Sequence, residues 1–159
     1  RSSLSEDKIK SINAGEVIES NGFKIQAIPS AHEKIKKDEN GNHYYLGYIV
    51  EFGPWAIYHS GDTVEYDKME KYLTQWDLDV VFLPINGRKS ERRVPGNMWG
   101  TESASLAKRV NARAVIPHHF NMFTFNTESP NDFITEANNL GQLFFVLENG
   151  EHWSSDQLK

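Results

Sequence analysis

The spacing of hydrophobic positions along this chain has a period of two before the turn at Asp62 and a mixed strand-and-helix pattern after it. In the first part Phe23, Ile25 and Ala27 share one side of an extended run while Lys24 and Gln26 share the other, the pattern of a half-buried strand. Val17-Ile18 precedes it across Ser20-Asn-Gly22, and Asn-Gly between two such runs marks a hairpin. From His43 to Phe52 the residues Tyr44, Leu46, Tyr48, Val50 and Phe52 alternate strictly. Gly53-Pro54 then turns the chain into the apolar run Trp55 to Tyr58, which reads as a second hairpin.

After the turn Tyr66, Met69, Leu73 and Trp76 recur at helical spacing, with Thr63 as the expected cap. Val80 to Ile85 reads as a buried strand ending in Asn86-Gly-Arg88. Thr101 is expected to cap a helix through about Val110, with Ala104, Ala107 and Val110 on one side. Ala114 to Ile116 is a short strand that ends in Pro117-His-His119. Pro130 opens another helix and Gly141 stops it, and Leu143 to Leu147 is expected to be a last strand. Hairpins followed by β-α-β-α-β predict an α/β (α+β) domain, a mixed sheet with helices on one face. Residues 1–13 are polar and read as a loosely held end of one domain covering 1–159.

Composition narrows the function classes. A chain of 159 residues can bury a real core. The absence of Cys excludes a disulfide framework, a thiolate zinc site and a cysteine nucleophile. The longest apolar runs, Val80 to Ile85 and Leu143 to Leu147, are too short to cross a bilayer, and the start lacks the apolar stretch of a signal peptide. The cytosol is the default expectation, and the non-Met start reads as a processed or cut chain. A net charge of -5 argues against nucleic acid held mainly through phosphate contacts. The basic clusters Arg88-Lys-Ser-Glu-Arg-Arg93 and Lys34-Ile-Lys-Lys37 read first as solvated loops.

The chemistry gathers past strand ends. Apolar runs end in His32, in Asp62, in Asn86 with Arg88, and in His118-His119. On one sheet edge these would bring imidazoles and a carboxylate together, the donors that suit Zn, Mn or Fe. Each has an ordinary alternative: an Asp after Gly is often a turn residue, and a single His is often surface or hydrogen-bonded. His43 and His59 read as structural or supporting residues and His152 as solvated. Successive side chains of extended backbone point to opposite faces, so only one of His118 and His119 can face a shared site.

Ile28-Pro-Ser-Ala-His-Glu33, Leu46-Gly-Tyr-Ile-Val50, Ile57-Tyr-His-Ser-Gly-Asp-Thr63 and Leu83-Pro-Ile-Asn-Gly-Arg88 resemble the metallo-β-lactamase superfamily. So do Gly96-Asn-Met98 and Ile116-Pro-His-His-Phe-Asn-Met-Phe123, with Asn126 to Pro130 and Phe133 beyond. Within that superfamily they are most similar to the L-ascorbate-6-phosphate lactonase branch and its metal-dependent hydrolase relatives. The resemblance implies metal ligands at His32, Asp62 and His119, with Asp62 bridging two ions (zinc or manganese) and Asp62 and His119 central to catalysis. It implies a substrate loop at Asn86, Arg88 and Asn97 that recognises a small anionic or phosphorylated substrate, with simple solubility as the competing explanation. The reaction implied is hydrolysis of a lactone or ester of a sugar-phosphate-like compound by metal-activated water.

The sequence departs from the family pattern in one large respect. The His-x-His-x-Asp-His motif is absent from the chain. The resemblance therefore covers the second half of an αββα sandwich, and an N-terminal half, covalent or as a nicked partner, is expected to complete core and site. Alone, the chain is expected to bind metal weakly and to be inactive. Two alternatives stay open: a phosphodiesterase or nuclease-like hydrolase of the same superfamily, and a non-catalytic half-domain serving as a binding or scaffold subunit; a homo-oligomer is left open as a partner state.

Overall fold

Asn21 and Gly22 both take positive φ, 51° and 82°, and reverse the chain between β1 (Val17–Ser20) and β2 (Phe23–Pro29), pairing Ser20 with Phe23. This is the two-residue hairpin that Asn-Gly predicts. β3 (Leu46–Phe52) pairs antiparallel with β2 and, through Gly53 at φ 52°, with β4 (Trp55–His59). β5 (Val80–Pro84) and β6 (Ala114–His118) then add in parallel, giving a six-stranded mixed sheet in the order β1-β2-β3-β4-β5-β6. The structure is a computed structural model that describes residues 9–158. Of the expected loose end, residues 1–8 lie outside the described residues, and 9–13 run without regular structure. Among the described residues no helix is long and apolar enough to cross a membrane.

The helices α1 (Met69–Leu73), α2 (Gly100–Arg109) and α3 (Asn131–Leu140) contribute to one core against one sheet face. Ile28, Ile49, Tyr58, Val81, Leu83 and Val115 supply the strand side, and Met69, Leu73, Leu106, Phe133 and Ala137 the helix side. On the opposite face Val80, Ala114, Ile116 and Leu158 are buried, with Trp55, Ile57, Phe82, Phe145, Leu147 and Trp153 only partly covered. The Tyr48-Val50-Phe52 row of β3 lies half-buried on this second face, while Gly47 and Ile49 are buried under the helices. β3 is thus apolar on both sides, as a strand covered on both faces would be.

Four local expectations are corrected. The helix expected from Thr63 shrinks to α1, because Lys68 takes φ 72° and breaks helical continuity, and the Thr63 hydroxyl is used elsewhere. β3 starts at Leu46 rather than His43, since His43 bridges to Lys37 and the Tyr44 N–H donates to the Lys36 carbonyl. Leu143 to Leu147 is extended but makes a single bridge, Phe144 to Val115. Its side chains still alternate, Phe144 and Val146 toward the helices and Phe145 and Leu147 toward the other face. α2 begins at Gly100, where the Glu102 carboxylate accepts the Trp99 N–H at 2.9 Å, so Thr101 is not its cap. α3 follows Pro130 and stops at Gly141, φ 59°, as expected.

Gly100 marks a close approach of α2 to α3. A Cβ there would lie 2.8 Å from both the Cβ and the backbone nitrogen of Phe133, which is fully buried. Gly100→Ala is expected to destabilise the protein by about 1–3 kcal/mol through overpacking, outweighing the up to ~1 kcal/mol of helix propensity gained. Urea unfolding checks this; an unchanged or raised midpoint would mean that the helices part freely.

Candidate metal centre

The turn after β4 is stitched to its neighbours on every side. The Ser60 N–H donates to the Phe82 carbonyl at 3.1 Å, Val64 N–H to Ala31 at 2.8 Å, and Met98 N–H to Thr63 at 2.9 Å. The Thr63 hydroxyl accepts the Ala31 N–H at 2.9 Å and donates to the Val64 carbonyl at 2.8 Å. Ser30 Oγ donates to the Ser60 carbonyl, tying the end of β2 to the end of β4. Gly61, at φ 61°, passes so close to β3 that a Cβ would lie 3.1 Å from the Leu46 carbonyl. These bonds hold Asp62 between His32 and His119.

His32 Nε2 lies 3.9 Å and His119 Nε2 3.3 Å from Asp62 Oδ2. The neighbouring histidines part where the chain leaves the strand. His118 stays extended at the end of β6 and stacks on His59, ring centroids 4.8 Å apart. His119 takes φ 62°, a left-handed conformation uncommon outside glycine, and swings to Asp62. Strain of this kind is found where a site fixes a side chain. The hydrogen bond between them raises the His119 pKa and, with the other imidazoles, holds the Asp62 carboxyl below its usual value. Burial drives His118 down to about 3, so it stays neutral. Burial also lowers His59, whose Nδ1 accepts the Gly61 N–H at 3.0 Å. His43 accepts no such role: it lies away from this rim, against Asn13. His152 is exposed.

The expected substrate loop is arranged differently from an open anion site. Asn86 and Asn97 are buried, with Asn97 Nδ2 donating to Asn86 Oδ1 at 2.9 Å and Asn86 Nδ2 to Asn126 Oδ1 at 3.0 Å. Arg88 spends its fork on Glu102, both contacts at 2.6 Å. Arg92, nearly buried, donates to the Asn86 and Thr127 carbonyls and pairs with Glu128, which Lys89 also reaches at 2.5 Å. Arg92, Glu102 and Glu128 carry no sequence signal of their own, because Arg88–Glu102 joins the β5 loop to α2 and Arg92–Glu128 joins two loops distant along the chain.

Imidazole and carboxylate are suitable donors for a divalent ion, and among the described residues His119 Nδ1 and His118 Nε2 are buried without a partner. Among the described residues, however, no three His, Cys, Asp or Glu side chains form a set that could hold a metal ion by themselves. The trio therefore fits part of a coordination shell.

A mixed sheet with helices on one face is an α/β fold, here with ligand-capable side chains on the loops past the carboxyl ends of its strands, where such folds place binding sites. The chain belongs to the beta-lactamase superfamily, whose domain model, the beta-lactamase superfamily domain, matches residues 2–120. It is 30% identical over 145 residues to a UPF0173 metal-dependent hydrolase of Methanoregula boonei, covering 88% of this chain and 62% of that protein. A UPF0173 metal-dependent hydrolase of Rubrobacter xylanophilus is 28% identical over 135 residues, covering 82% of this chain and 53% of the relative. The chain thus spans roughly half to three-fifths of the length of these curated relatives. In fold it is similar to Igni18, a metallo hydrolase of Ignicoccus hospitalis, with TM-score 0.71 and 24% identity over 89% of this chain and 58% of that one. A metal-dependent hydrolase structure from Parabacteroides distasonis gives TM-score 0.64 and 21% identity, over 88% of this chain and 58% of that one.

Burial works against the Glu102 carboxylate, but the Arg88 fork and the Trp99 N–H outweigh it and hold its pKa below the usual value. A depressed folded pKa gives stability that is present above the unfolded value of about 4.3 and is lost as pH falls through the folded one. Glu102→Gln is expected to be less stable than the parent near pH ~7, with the gap closing toward pH ~3 as the parent carboxylate protonates. Urea midpoints at the two pH values check this, and a gap that stays constant would contradict the pairing.

Proposed function

We propose that this chain carries the Asp62 half of a metal-dependent hydrolase site that cleaves a lactone or ester. The observation supporting it most is the convergence of His32, Asp62 and His119, 3.9 and 3.3 Å apart through one carboxylate oxygen. Bound divalent ions would supply Lewis acidity and lower the pKa of water toward about 7. Asp62 stays ionised and outward-facing, its side chain 40% exposed, so its oxygens are open to more than one ion. His32 and His119 approach that carboxylate from opposite strands and would hold one ion each. The relatives' names, metal-dependent hydrolase, agree with this donor set.

The remaining ligands come, in this proposal, from an N-terminal half seated on the second sheet face. Two observations support it: the relatives are longer than this chain, and the Tyr48-Val50-Phe52 row with Trp55, Ile57 and Phe82 is only half-covered. Apolar surface of this extent is usually matched by a partner. Zinc and manganese both suit imidazole and carboxylate donors, and the cytosol is the proposed compartment.

Asp62→Asn and His119→Ala in the complete protein are each expected to remove bound metal and lower lactone hydrolysis by well over the ~10–100-fold typical of changes around a metal ligand. Metal content by mass spectrometry and hydrolysis rates check this together. Full metal content and full rate in either variant would refute the assigned roles.

A further inference from the structure

A row of aromatic rings continues from the metal-centre residues on both sides. On one flank Tyr44 leans on Tyr45 at 6.5 Å between centroids, and Tyr45 meets His32 edge-on at 5.4 Å. On the other, His119 faces Phe123 at 6.3 Å and Phe123 faces Phe125 at 6.1 Å. Asp62 sits between the two flanks through its contacts with His32 and His119. Tyr44, Met122, Phe123 and Phe125 are 56%, 61%, 48% and 60% exposed. Leaving such side chains in water forgoes roughly 25 cal/mol for each Å² that could be covered, and a contiguous exposed group of them usually marks a binding surface.

The Phe123 flank is held at its base. Phe120 is buried, the Asn121 N–H donates to Thr127 Oγ1 at 2.8 Å, Asn86 holds Asn126, and Arg92 holds Thr127 and Glu128. Several nearby cations are engaged: Arg88 by Glu102, Lys89 and Arg92 by Glu128, and Lys36 over the Tyr44 ring at 4.9 Å, while Lys34 and Arg93 are exposed. Anion recognition by Arg88 would first have to break a two-point ion pair.

We infer that the site takes an acyl substrate with an apolar alkyl or aryl body, seated between the Tyr44–Tyr45 and Phe123–Phe125 flanks with its carbonyl over Asp62. This rests on the hydrolase reading and replaces a phosphorylated sugar with an apolar body as the preferred substrate class. Hydrolysis then adds water across the acyl C–O bond: the carbonyl carbon gains the hydroxyl oxygen, the alkoxide leaves, and it takes a proton from water. No oxidant or other co-reactant is required.

The test compares an alkyl-substituted γ-lactone with 6-phosphogluconolactone on the complete metal-loaded protein, beside Phe123→Ser/Phe125→Ser. It also measures saturation transfer from the protein to nonanoate, a product-like carboxylate, by NMR without added metal. The alkyl lactone is expected to be favoured by about 10-fold or more in kcat/KM, the size of effect that apolar pocket contacts give. The double variant, with metal content retained, should lose most of that preference through KM and most of the transfer. Preference for the phosphorylated lactone, or a double variant that loses both substrates equally along with its metal, overturns the inference. If neither lactone is hydrolysed, the lactone-hydrolysis reading has failed; Phe-dependent transfer to nonanoate would still support the apolar seat, and its absence would overturn it.

Discussion

The hydroxyl of Thr63 is the small contact on which the arrangement of the rim depends. By accepting the Ala31 N–H and donating to the Val64 carbonyl, it joins the end of β2 to the turn after β4. Without that stitch His32 and Asp62 would sit on two loops joined by the Ser30 and Tyr66 hydroxyls and the Ala31 carbonyl. β5 and β6 complete the frame in the same manner, since the Ile85 N–H donates to the His118 carbonyl at 3.0 Å. The result is a carboxylate placed by backbone bonds from strands separated along the sequence, so its position is set by the sheet rather than by the loop's own preference. Such placement limits the reorganisation that a bound ion or a reacting group would otherwise demand.

The sheet's two faces explain why the same chain holds a packed core and a lightly covered surface. On the helix side, Tyr58, Ile49 and Leu83 are fully buried against α1, α2 and α3. On the other side, residues of similar character on the same strands, Ile57, Val50 and Phe82, are half-buried. Neighbouring positions along one strand thus differ in burial because alternate side chains meet different layers. The tail through Trp153 and Leu158 covers the β5–β6 end of the second face but leaves the Phe23, Val50 and Phe52 region more open.

Much of this was legible in the sequence because it depends on short-range alternation. The two hairpins, the parallel strands and the strand-end positions of His32, Asp62, Asn86 and His119 all follow from apolar runs and turn residues. What escaped was decided by distant partners. Thr63 has the composition of a helix cap, but its hydroxyl found Ala31, far back along the chain, and Lys68 took a left-handed conformation that ended any longer helix. Arg88 reads as a free cation until Glu102 is seen to face it. His118 and His119 are equivalent to a period-two reading, and only the backbone turn at φ 62° separates the residue that stacks on His59 from the one that meets Asp62. The Tyr45 and Phe123 contacts to the two histidines have no periodic signature at all.

Charge and polarity around the rim point in one direction once these partners are known. The asparagines of the Asn86 loop bond one another and Asn126 in a buried web that leaves Asn97 Oδ1 without a partner among the described residues, and an unpaired buried group of that kind costs about 1–3 kcal/mol. Arg92 contributes to the same web from its nearly buried position, binding the β5 loop to the segment after His119. Because that segment is clamped at Asn126 to Glu128, the exposed rings at its tip are presented rather than left by default. A polar network that consumes its own charges beneath a fringe of water-exposed aromatics leaves Asp62 as the open ionic group of the His32–Asp62–His119 trio. The trio thus consists of one carboxylate and two imidazoles, and the exposed side chains beside them include the rings of Tyr44, Phe123 and Phe125.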